Sequence, residues 1–493
     1  MITAPKSDVF FTSNLANVKG CSMTDSNILK KNEKRVLDIT ALASGGAGVA
    51  RIGDEQGGRV VFVERGLPGQ RVLARITLVK KRFAKAEVLD VVEQTPHAVD
   101  AQCPHFGRCG GCSWQDLDYP EQLRWKQTLV RENLERIGKL KEPPVQPTLP
   151  SPKTYGFRNK MEFAFSPGKA KGEINLGLHE PGSANVLNVE GCLLMSDKTM
   201  DVVAEVRRMA GSSKARSFDP EYGSGFWRHL VLRESAATGS CIANIITSPG
   251  PEFDEIMDGV ARRLLDHFPH ISCVLHSLRT STLTVAQGET IESVYAREED
   301  DPGLACLLNE PMGELNMSVS AESFFQTNTM AAQTLYSVVT GMAERVAGDG
   351  KLGEVWDVYC GVGGIALSVA GLCAGVKGFD NSESAIADAQ ANAEDNEIAN
   401  CEFLAGDALA LMREDSGSPE LVILDPPRSG LHPDMVGVIL EKAPKAVIYV
   451  SCDPATQARD LALLSPVYDL VESQPVDMFP HSPHVENVAL LIK

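Results

Sequence analysis

Residues 355–364 read Val355-Trp356-Asp357-Val358-Tyr359-Cys360-Gly361-Val362-Gly363-Gly364, an apolar run that ends in a glycine turn. The apolar stretch from Ile365 predicts a helix, so the pattern is strand, turn, helix. Glycines at such a turn let a ligand approach the backbone, and the N-terminus of the next helix favours anionic groups. The G-x-G-x-x-G spacing of dinucleotide-binding proteins is not met. The stretch therefore predicts a Rossmann-like domain with a ligand site at this turn.

Two acidic residues follow at the ends of the next predicted strands. Asp380 ends the strand of residues 375–379, where a carboxylate can accept hydrogen bonds from ribose hydroxyls. Asp407 follows the strand of residues 401–404 and would lie beside an adenine. These positions suit S-adenosylmethionine better than NAD. They therefore predict a methyltransferase.

Two further strand ends carry candidate catalytic groups. Residues 421–424 lead into Asp425-Pro426-Pro427-Arg428, and residues 446–450 lead into Ser451-Cys452. A lone thiol at a strand end is more often an inert core residue than a nucleophile. Methyltransferases that modify exocyclic amines often have an aromatic residue after such a Pro-Pro pair, whereas Arg428 stands here. This difference favours methylation of carbon, which requires a nucleophile such as Cys452.

Composition and charge limit the class of protein. The chain has 493 residues, 43% of them apolar, enough for about three domains of ~150 residues each. No run of 18 or more apolar residues and no signal-peptide pattern appears, so we expect a cytoplasmic protein without a membrane partner. In that compartment the 12 cysteines favour reduced, catalytic or metal-bound thiols over disulfides. The net charge of −18 argues against a generally basic surface, but it allows local basic patches.

The N-terminal part predicts a tail and a small β-barrel. Residues 1–32 are polar and aperiodic, which predicts a disordered tail, and Met23 is a candidate translation start. Residues 33–95 alternate short β-rich runs with glycine turns. A basic stripe within them, interleaved with Phe83, contains no acid and consists of Arg71, Arg75, Lys80, Lys81, Arg82 and Lys85. Such a stripe can follow a phosphate backbone, although a solvated strand face is the alternative.

A cysteine-rich loop follows the barrel. Cys103, Cys109 and Cys112 have C-x5-C-x2-C spacing in a glycine-rich stretch, and Cys192, about 80 residues later, is the best fourth ligand. Short spacers bring sulfurs together, and glycines let backbone N–H groups approach them. Zinc would also suit four thiolates, but the usual paired C-x2-C knuckles are absent. We therefore expect a [4Fe-4S] cluster.

The central part combines a helix with an α/β stretch. Residues 119–139 have the apolar spacing of an amphipathic linking helix, and an α/β region continues to about residue 310. Residues 155–160 join aromatic and basic groups that would clamp single-stranded RNA, or form an ordinary surface turn. His481 and His484 have no third metal ligand nearby, so we interpret them as structural or RNA-facing.

From the barrel to the C-terminus the chain resembles the RNA uracil-C5 methyltransferases. Among them it is most similar to the 23S rRNA (uracil-5-)-methyltransferases that carry a TRAM domain and an iron–sulfur cluster. The matching stretches are residues 45–51, 63–69, 324–328, 357–363, 425–430, 447–452 and 479–486. Two positions depart from the family pattern: Asp453 replaces the usual asparagine after the nucleophile, and Gly364 replaces the asparagine of some members.

The resemblance implies an α/β fold with three domains and assigns site residues to them. An OB-like TRAM barrel (33–95) precedes a central α/β domain with the iron–sulfur loop (96–310) and a Rossmann-like class I methyltransferase domain (311–493). Cys452 would be the nucleophile and Glu486 the base that removes the C5 proton. The cofactor would contact Gln326, Tyr359, Gly361, Gly363, Gly364, Asp380, Asp407 and Asp425.

The resemblance also implies the partners. We expect RNA, specifically 23S rRNA, as substrate, no binding to DNA, and a monomeric enzyme. A tRNA uracil-C5 methyltransferase is the first alternative, although tRNA-specific family members generally lack the cluster cysteines and the barrel. A non-catalytic RNA-binding iron–sulfur protein is the second, but it would leave Cys452 and Glu486 without a role.

Overall fold

The computed structural model describes residues 29–53, 58–170, 172–250 and 254–493. The chain divides into two compact units, residues 1–98 and residues 99–493. Residues 1–28 of the expected disordered tail, Met23 among them, lie outside the described residues. Among the helices described, none is both long and apolar enough to cross a membrane.

The first unit is a six-stranded β-barrel. Its strands are β1 (Lys34–Asp38), β2 (Ala41–Leu42), β3 (Gly48–Ile52), β4 (Arg59–Glu64), β5 (Arg71–Val79) and β6 (Phe83–Glu93), in the order β1-β5-β6-β4-β3-β2. Ile39 and Thr40 join the two edge strands β1 and β2. Ile39 N–H donates to Gln70 O, next to β5, and Thr40 N–H donates to Val49 O of β3, both at 2.9 Å, so this junction closes the sheet. Leu29 packs into the barrel core, four residues before the expected start.

Alternation along the barrel strands separates an apolar interior from a charged surface. Val72, Ala74 and Ile76 of β5 are fully buried, whereas the intervening Arg75 is exposed and pairs with Glu87. Arg71 lies 3.7 Å from Asp38 and 4.0 Å from Glu93. The remaining cations of the basic stripe are exposed at the β5–β6 hairpin: Lys80, Lys81, Arg82 and Lys85. Positive charge therefore concentrates at the hairpin tip.

The second unit begins with the cysteine loop and the expected linking helix. This helix, α1 (Tyr119–Arg136), is capped by Asp118, whose side chain accepts a hydrogen bond from Glu121 N–H. A seven-stranded sheet follows, in the order β13-β12-β11-β10-β7-β8-β9. It consists of β7 (Lys160–Pro167), β8 (Ile174–His179), β9 (Val186–Asn188), β10 (Trp227–Glu234), β11 (Cys241–Thr247), β12 (Ile271–Leu278) and β13 (Thr290–Tyr295). Helices α2 (Asp197–Ser212) and α3 (Asp254–His267) share one apolar core with one of its faces.

A short segment joins this sheet to the C-terminal part. It contains α4 (Pro302–Ala305) and the hairpin of β14 (Leu307–Met312) and β15 (Leu315–Ser320). Cys273 of β12 forms a disulfide with Cys306, the residue before β14, with their Cα atoms 5.3 Å apart. The expectation of reduced thiols is therefore wrong for this pair, because the fold brings together two cysteines that are 33 residues apart.

The C-terminal part has the predicted Rossmann-like architecture. Its sheet runs β18-β17-β16-β19-β20-β22-β21, and β22 runs opposite to the other six strands. The strands are β16 (Leu352–Val358), β17 (Cys373–Asp380), β18 (Cys401–Ala405), β19 (Leu421–Leu424), β20 (Ala446–Ser451), β21 (Asp469–Val476) and β22 (Glu486–Ile492). The α-helices are α5 (Thr329–Ala347), α6 (Gly364–Val369), α7 (Glu383–Asp395), α8 (Ala408–Glu414), α9 (Pro433–Lys442) and α10 (Pro454–Leu464). The strand order reverses between β16 and β19, where ligands bind in open α/β sheets.

Candidate active site

Cys452 lies in the loop between β20 and α10. Asp453 caps α10, because its Oδ1 accepts hydrogen bonds from Ala455 N–H at 2.8 Å and Thr456 N–H at 3.2 Å. Ser451 Oγ in turn accepts from Asp453 N–H at 3.1 Å. Asp453 thus supplies the hydrogen-bond acceptor that fixes this loop. The loop that carries Cys452 is therefore capped although aspartate replaces the family's usual asparagine. Cys452 is half-buried.

Glu486 is the first residue of β22, which pairs with β20. The pairing of Asn487 with Ser451 brings Glu486 to the same sheet edge as Cys452. Burial and the nearby Asp425 raise the pKa of Glu486 to about 8. Burial, followed by the charge of Glu486, raises the pKa of the Cys452 thiol to about 11, while Arg428 acts to lower it. A thiol and a carboxyl group therefore interact electrostatically where β20 ends and β22 begins.

The loop after β19 forms another wall of this site. Burial raises the pKa of Asp425 to about 7. The loop is held against α10: Thr456 Oγ1 donates to Arg428 O at 3.2 Å, and Arg459 Nη2 donates to Ser429 O at 3.0 Å. The Arg428 side chain is exposed and is the cation that lowers the thiol pKa. The loop after β19 is thereby fixed next to Cys452.

The glycine turn after β16 has the strained backbone that a ligand site requires. Gly361 and Gly363 have φ angles of +54° and +84°, and Tyr359 has φ +69° although it is not glycine. A Cβ on Gly364 would lie 2.7 Å from the Tyr336 ring, so a larger residue there would require that ring to shift. Asp380 Oδ2 accepts a hydrogen bond from Gly361 N–H at 3.0 Å. The carboxylate expected to bind ribose therefore also fixes the turn.

A small cavity of about 40 Å³ gathers part of the expected cofactor set. Its lining includes Gln326, Tyr359, Gly361, Gly364 and Asp425. The other three expected contacts, Gly363, Asp380 and Asp407, lie outside this lining. Asp407 Oδ1 instead accepts a hydrogen bond from Ala410 N–H at 2.8 Å and caps α8.

Asp357 and Tyr336 also line this cavity but were not among the predicted site residues. Asp357 is fully buried in β16, and burial together with the charge of Asp425 raises its pKa to about 8. An acid inside an apolar strand was a signal that sequence reasoning could have used. Tyr336 comes from α5, where its spacing is that of an ordinary apolar helix position, and its local sequence carries no such signal.

The four cysteines expected to bind a metal line one cavity of about 960 Å³. Gly111 N–H donates to Cys109 Sγ at 3.4 Å, and burial raises the pKa of Cys112 to about 11, with Cys192 among the thiols that raise it further. In the described ranges, no three His, Cys, Asp or Glu side chains form a group that could hold a metal ion. Four cysteine thiols are the donor set that an iron–sulfur cluster uses, and these four would hold such a cluster in this cavity.

The cysteine loop and α1 are tied to the segment that precedes Glu486. His481 O accepts hydrogen bonds from Ser113 N–H at 2.8 Å and Trp114 N–H at 3.0 Å. Lys126 of α1 forms a fully buried ion pair with Asp477. Through these contacts, residues more than 300 positions earlier in the chain hold the segment before Glu486 in place.

Residues 155–160 support the site from within. Tyr155 stacks on His481 with ring centroids 4.4 Å apart, which agrees with a structural role for that histidine. Asn159 Nδ2 donates to Gln326 O at 2.8 Å, and Phe157 is buried. The structure therefore favours neither an exposed RNA clamp nor a surface turn for this segment, because its side chains are used to position residues 326 and 481.

Comparisons with known proteins agree with this geometry. A family model described as tRNA (Uracil-5-)-methyltransferase matches residues 314–493, and a TRAM domain model matches residues 30–89. A protein of Nitratidesulfovibrio vulgaris named an uncharacterized RNA methyltransferase is 44% identical over 92% of this chain and 95% of its own length. One from Bacteroides thetaiotaomicron with the same name is 36% identical over 91% of this chain and 99% of its own.

A solved structure is also similar over almost the whole length. The tRNA (uracil-54, C5)-methyltransferase of Pyrococcus abyssi, in complex with S-adenosyl-L-homocysteine, is 28% identical to this chain, with a TM-score of 0.70. The alignment covers 93% of this chain and 100% of that one.

Proposed function

This chain belongs to the S-adenosylmethionine-dependent RNA uracil-5 methyltransferases, and on that premise we propose that it methylates C5 of a specific uridine in 23S rRNA. The observation that carries the chemistry is the electrostatic coupling of Cys452, Glu486 and Asp425 at adjacent strand ends. The resemblance to cluster-bearing rRNA enzymes supports the rRNA substrate. The full-length similarity to an enzyme named for tRNA makes a tRNA substrate the second candidate.

The separate roles of Cys452 and Glu486 follow from the weak nucleophilicity of uracil C5. The Cys452 thiolate forms a bond to C6, and the electrons of the C5=C6 double bond move into the carbonyl at C4 as an enolate. S-adenosylmethionine, when bound, would supply an electrophilic methyl group to the electron-rich C5, with its S–CH3 bond breaking and S-adenosylhomocysteine as the leaving group. Glu486 then takes the proton from C5, the double bond re-forms, and the thiolate leaves as the S–C6 bond breaks. The uridine must be unpaired or flipped out for this to occur.

The raised pKa of Glu486 suits a base in this position. A carboxylate that burial destabilises is a stronger base than one in water, and a pKa of about 8 lies near the operating pH. Glu486 is buried, whereas Asp425, directly after β19, is partly buried. Asp425 and Gln326 line the small cavity and would bind and orient the cofactor and the target uracil.

The substrate is tested by mapping 5-methyluridine in cells that lack this protein. We expect the modification to disappear from one or more positions of 23S rRNA and to remain in the T-loop of tRNA. Re-expression of the wild-type protein should restore it. Loss from tRNA alone would make the second candidate correct, and unchanged RNA of both kinds would contradict the proposed function.

We further propose that Cys103, Cys109, Cys112 and Cys192, which line the cavity of about 960 Å³, hold a [4Fe-4S] cluster that stabilises the cysteine loop. Protein purified without oxygen is expected to be brown and to contain about four irons and four sulfides per chain. Cys109→Ser and Cys192→Ser should lose most of the iron. Cys401→Ser, at a half-buried thiol outside that cavity, should retain it. Stoichiometric zinc without sulfide would show that the site is tetrahedral instead.

The hairpin tip of the barrel is proposed to bind the RNA backbone. Lys80→Gln with Lys81→Gln should raise KM for a 23S rRNA fragment while kcat changes little, because these side chains contact RNA remote from the reacting carbon. The slope of log KM against log salt should fall by about 1.4, for two single-strand phosphate contacts. Arg71→Gln with Arg75→Gln should have a smaller effect, because Asp38, Glu93 and Glu87 already neutralise those cations. Equal effects of the two double variants would contradict this assignment.

A further inference from the structure

Three side chains form a row on one face of the central sheet. Asn244 lies in β11 between Ala243 and Ile245, both of which belong to the core shared with α2 and α3. Because side chains alternate along a strand, Asn244 faces the opposite side of the sheet. The register pairs Asn244 with Val231 of β10 and pairs Val231 with Glu162 of β7. Glu162, Val231 and Asn244 therefore lie side by side on the face away from those helices.

These three residues form the floor of a cavity of about 350 Å³, hereafter the side cavity. Its other lining residues include Gln287, Glu322 and Phe324. The volume lies in the range of small-molecule binding sites. Arg279 Nη1 donates to Gln287 O at 2.6 Å, which holds the wall formed by residues 285–288.

Asn244 is the unusual member of the floor. Its side chain is only 7% exposed, and within the part of the chain that the structure describes its Oδ1 is buried without a hydrogen-bond partner. A buried acceptor without a donor destabilises a fold, so native proteins rarely keep one without a functional reason. A ligand that donates a hydrogen bond in the side cavity would satisfy it.

Phe324 connects the side cavity with the active site. Its ring is 69% exposed, whereas the adjacent Phe325 is 3% exposed. Phe324 lines both the side cavity and the small cavity that contains Gln326 and Asp425. Hydrogen bonds on either side hold its backbone: Arg233 Nη2 donates to Ser323 O at 2.6 Å, and Asn159 Nδ2 donates to Gln326 O at 2.8 Å. The ring is thus an exposed aromatic surface with a fixed backbone.

We propose that the side cavity binds a second unpaired base of the substrate RNA, close to the target uridine, and selects adenine. The proposal rests on the proposed function, because it takes RNA as the substrate. Phe324 would stack on the base, as aromatic side chains do in single-stranded RNA recognition. Asn244 would accept from the exocyclic amine and donate to the neighbouring ring nitrogen, the pairing that asparagine makes with adenine.

The acidic residues of the cavity explain why an amine is preferred. An exocyclic amine has two hydrogens, so it can donate to Asn244 Oδ1 and to the carboxylate of Glu322 at the same time, whereas Glu162 is already paired with Lys160 of the same lining at 3.1 Å. Uracil has one N–H between two carbonyl oxygens, which a carboxylate repels. The side cavity therefore discriminates between the base it binds and the uracil that the active site methylates.

Binding of short RNAs tests the side cavity without methyl transfer. The probes are fluorescein-labelled single-stranded hexamers of adenosine and of purine riboside, which lacks only the exocyclic amine. Anisotropy with the full-length protein and S-adenosylhomocysteine should show about fivefold to hundredfold tighter binding of the adenosine hexamer. Contacts to phosphates are the same for both probes and cancel in this ratio.

Three variants locate the effect. Asn244→Leu should abolish the preference for adenosine, and its thermal unfolding temperature should not fall, because the substitution removes an unsatisfied polar group. Asn175→Leu is the matched control: this asparagine lies on β8, lines a different cavity and donates to Pro167 O at 3.1 Å, so the preference should persist. Phe324→Ala should weaken both hexamers equally, because stacking does not depend on the amine.

Each contrary outcome has a definite meaning. Equal binding of the two hexamers by the wild type, or an unchanged ratio in Asn244→Leu, would overturn the side-cavity proposal. If adenosine is preferred but no RNA is methylated, the base site stands and the proposed function fails. If RNA is methylated but the hexamers bind equally, the function stands and the base site fails.

Discussion

Cys452→Ala is expected to lower the rate of methyl transfer by at least about 10⁴-fold, the scale seen when a covalent nucleophile is removed from an enzyme. Binding of S-adenosylhomocysteine should be nearly unchanged, because the thiol acts on the uracil and not on the cofactor. Methyl transfer from labelled cofactor and thermal stabilisation by S-adenosylhomocysteine measure the two effects. Cys401→Ala removes a thiol at the start of β18, away from the carboxyl ends of the strands, and should retain full activity.

RNA with 5-fluorouridine at the target position should trap the wild-type enzyme. Fluorine cannot leave C5 as a cation, so elimination stops after methylation and the S–C6 bond remains. Mass spectrometry should map the RNA adduct to Cys452. An adduct on another cysteine would overturn the assignment of the nucleophile.

The pH dependence of the thiol provides an independent measurement. Because burial and Glu486 raise the pKa of Cys452 to about 11, its thiolate fraction should increase about tenfold per pH unit between pH 8 and 10. The alkylation rate of Cys452, followed by peptide mass spectrometry in protein without cofactor, should show this slope. A rate that is constant across this range would mean that the thiol is already ionised at pH 8.

The Glu486→Gln variant is expected to form the C6 adduct and to transfer the methyl group to C5. It should then release product about 10² to 10⁴ times more slowly than the wild type. The amide cannot take the C5 proton, so the S–C6 bond cannot break. Enzyme and RNA should therefore migrate together on a denaturing gel with an ordinary, unfluorinated substrate. Multiple-turnover assays should stop after about one methyl group per enzyme.

A carboxylate outside the site provides the matched control. Glu472 lies on the neighbouring strand β21 and pairs with Arg345, so Glu472→Gln should release product at the wild-type rate. If Glu486→Gln also released product at the wild-type rate, another group would have to be the base. Asp425 would then be the first residue to test, because it interacts electrostatically with Cys452 and its pKa is raised to about 7.

Local sequence patterns were sufficient for the elements that carry the nucleophile and the glycine turn. The apolar run before Ser451-Cys452 predicted a strand that ends at a loop, and residues 355–365 predicted a strand, a turn and a helix; both patterns are present. The helix from Tyr119 was also predicted by its apolar spacing. These predictions succeed because backbone preferences and apolar periodicity act over a few residues.

The fold alone decided which distant groups meet. Strand β22 inserts between β20 and β21, so Glu486 reaches the edge beside Cys452 although 34 residues separate them in the sequence. Similarly, Asp38, Glu93 and Glu87 neutralise two cations of a stripe that contained no acid in sequence, because β1 and β6 flank β5. Neither pairing leaves a local signal.

The sequence by itself thus determined the fold class and the family, because strand-end motifs need only a few neighbouring residues. Only the tertiary structure decided that Asn244 is a buried acceptor without a donor among the described residues, that Cys273 meets Cys306, and that the cysteine loop supports the segment before Glu486. The physical reason is that burial, strand register and electrostatic coupling depend on packing between elements far apart in the chain. An isolated sequence window contains none of that information.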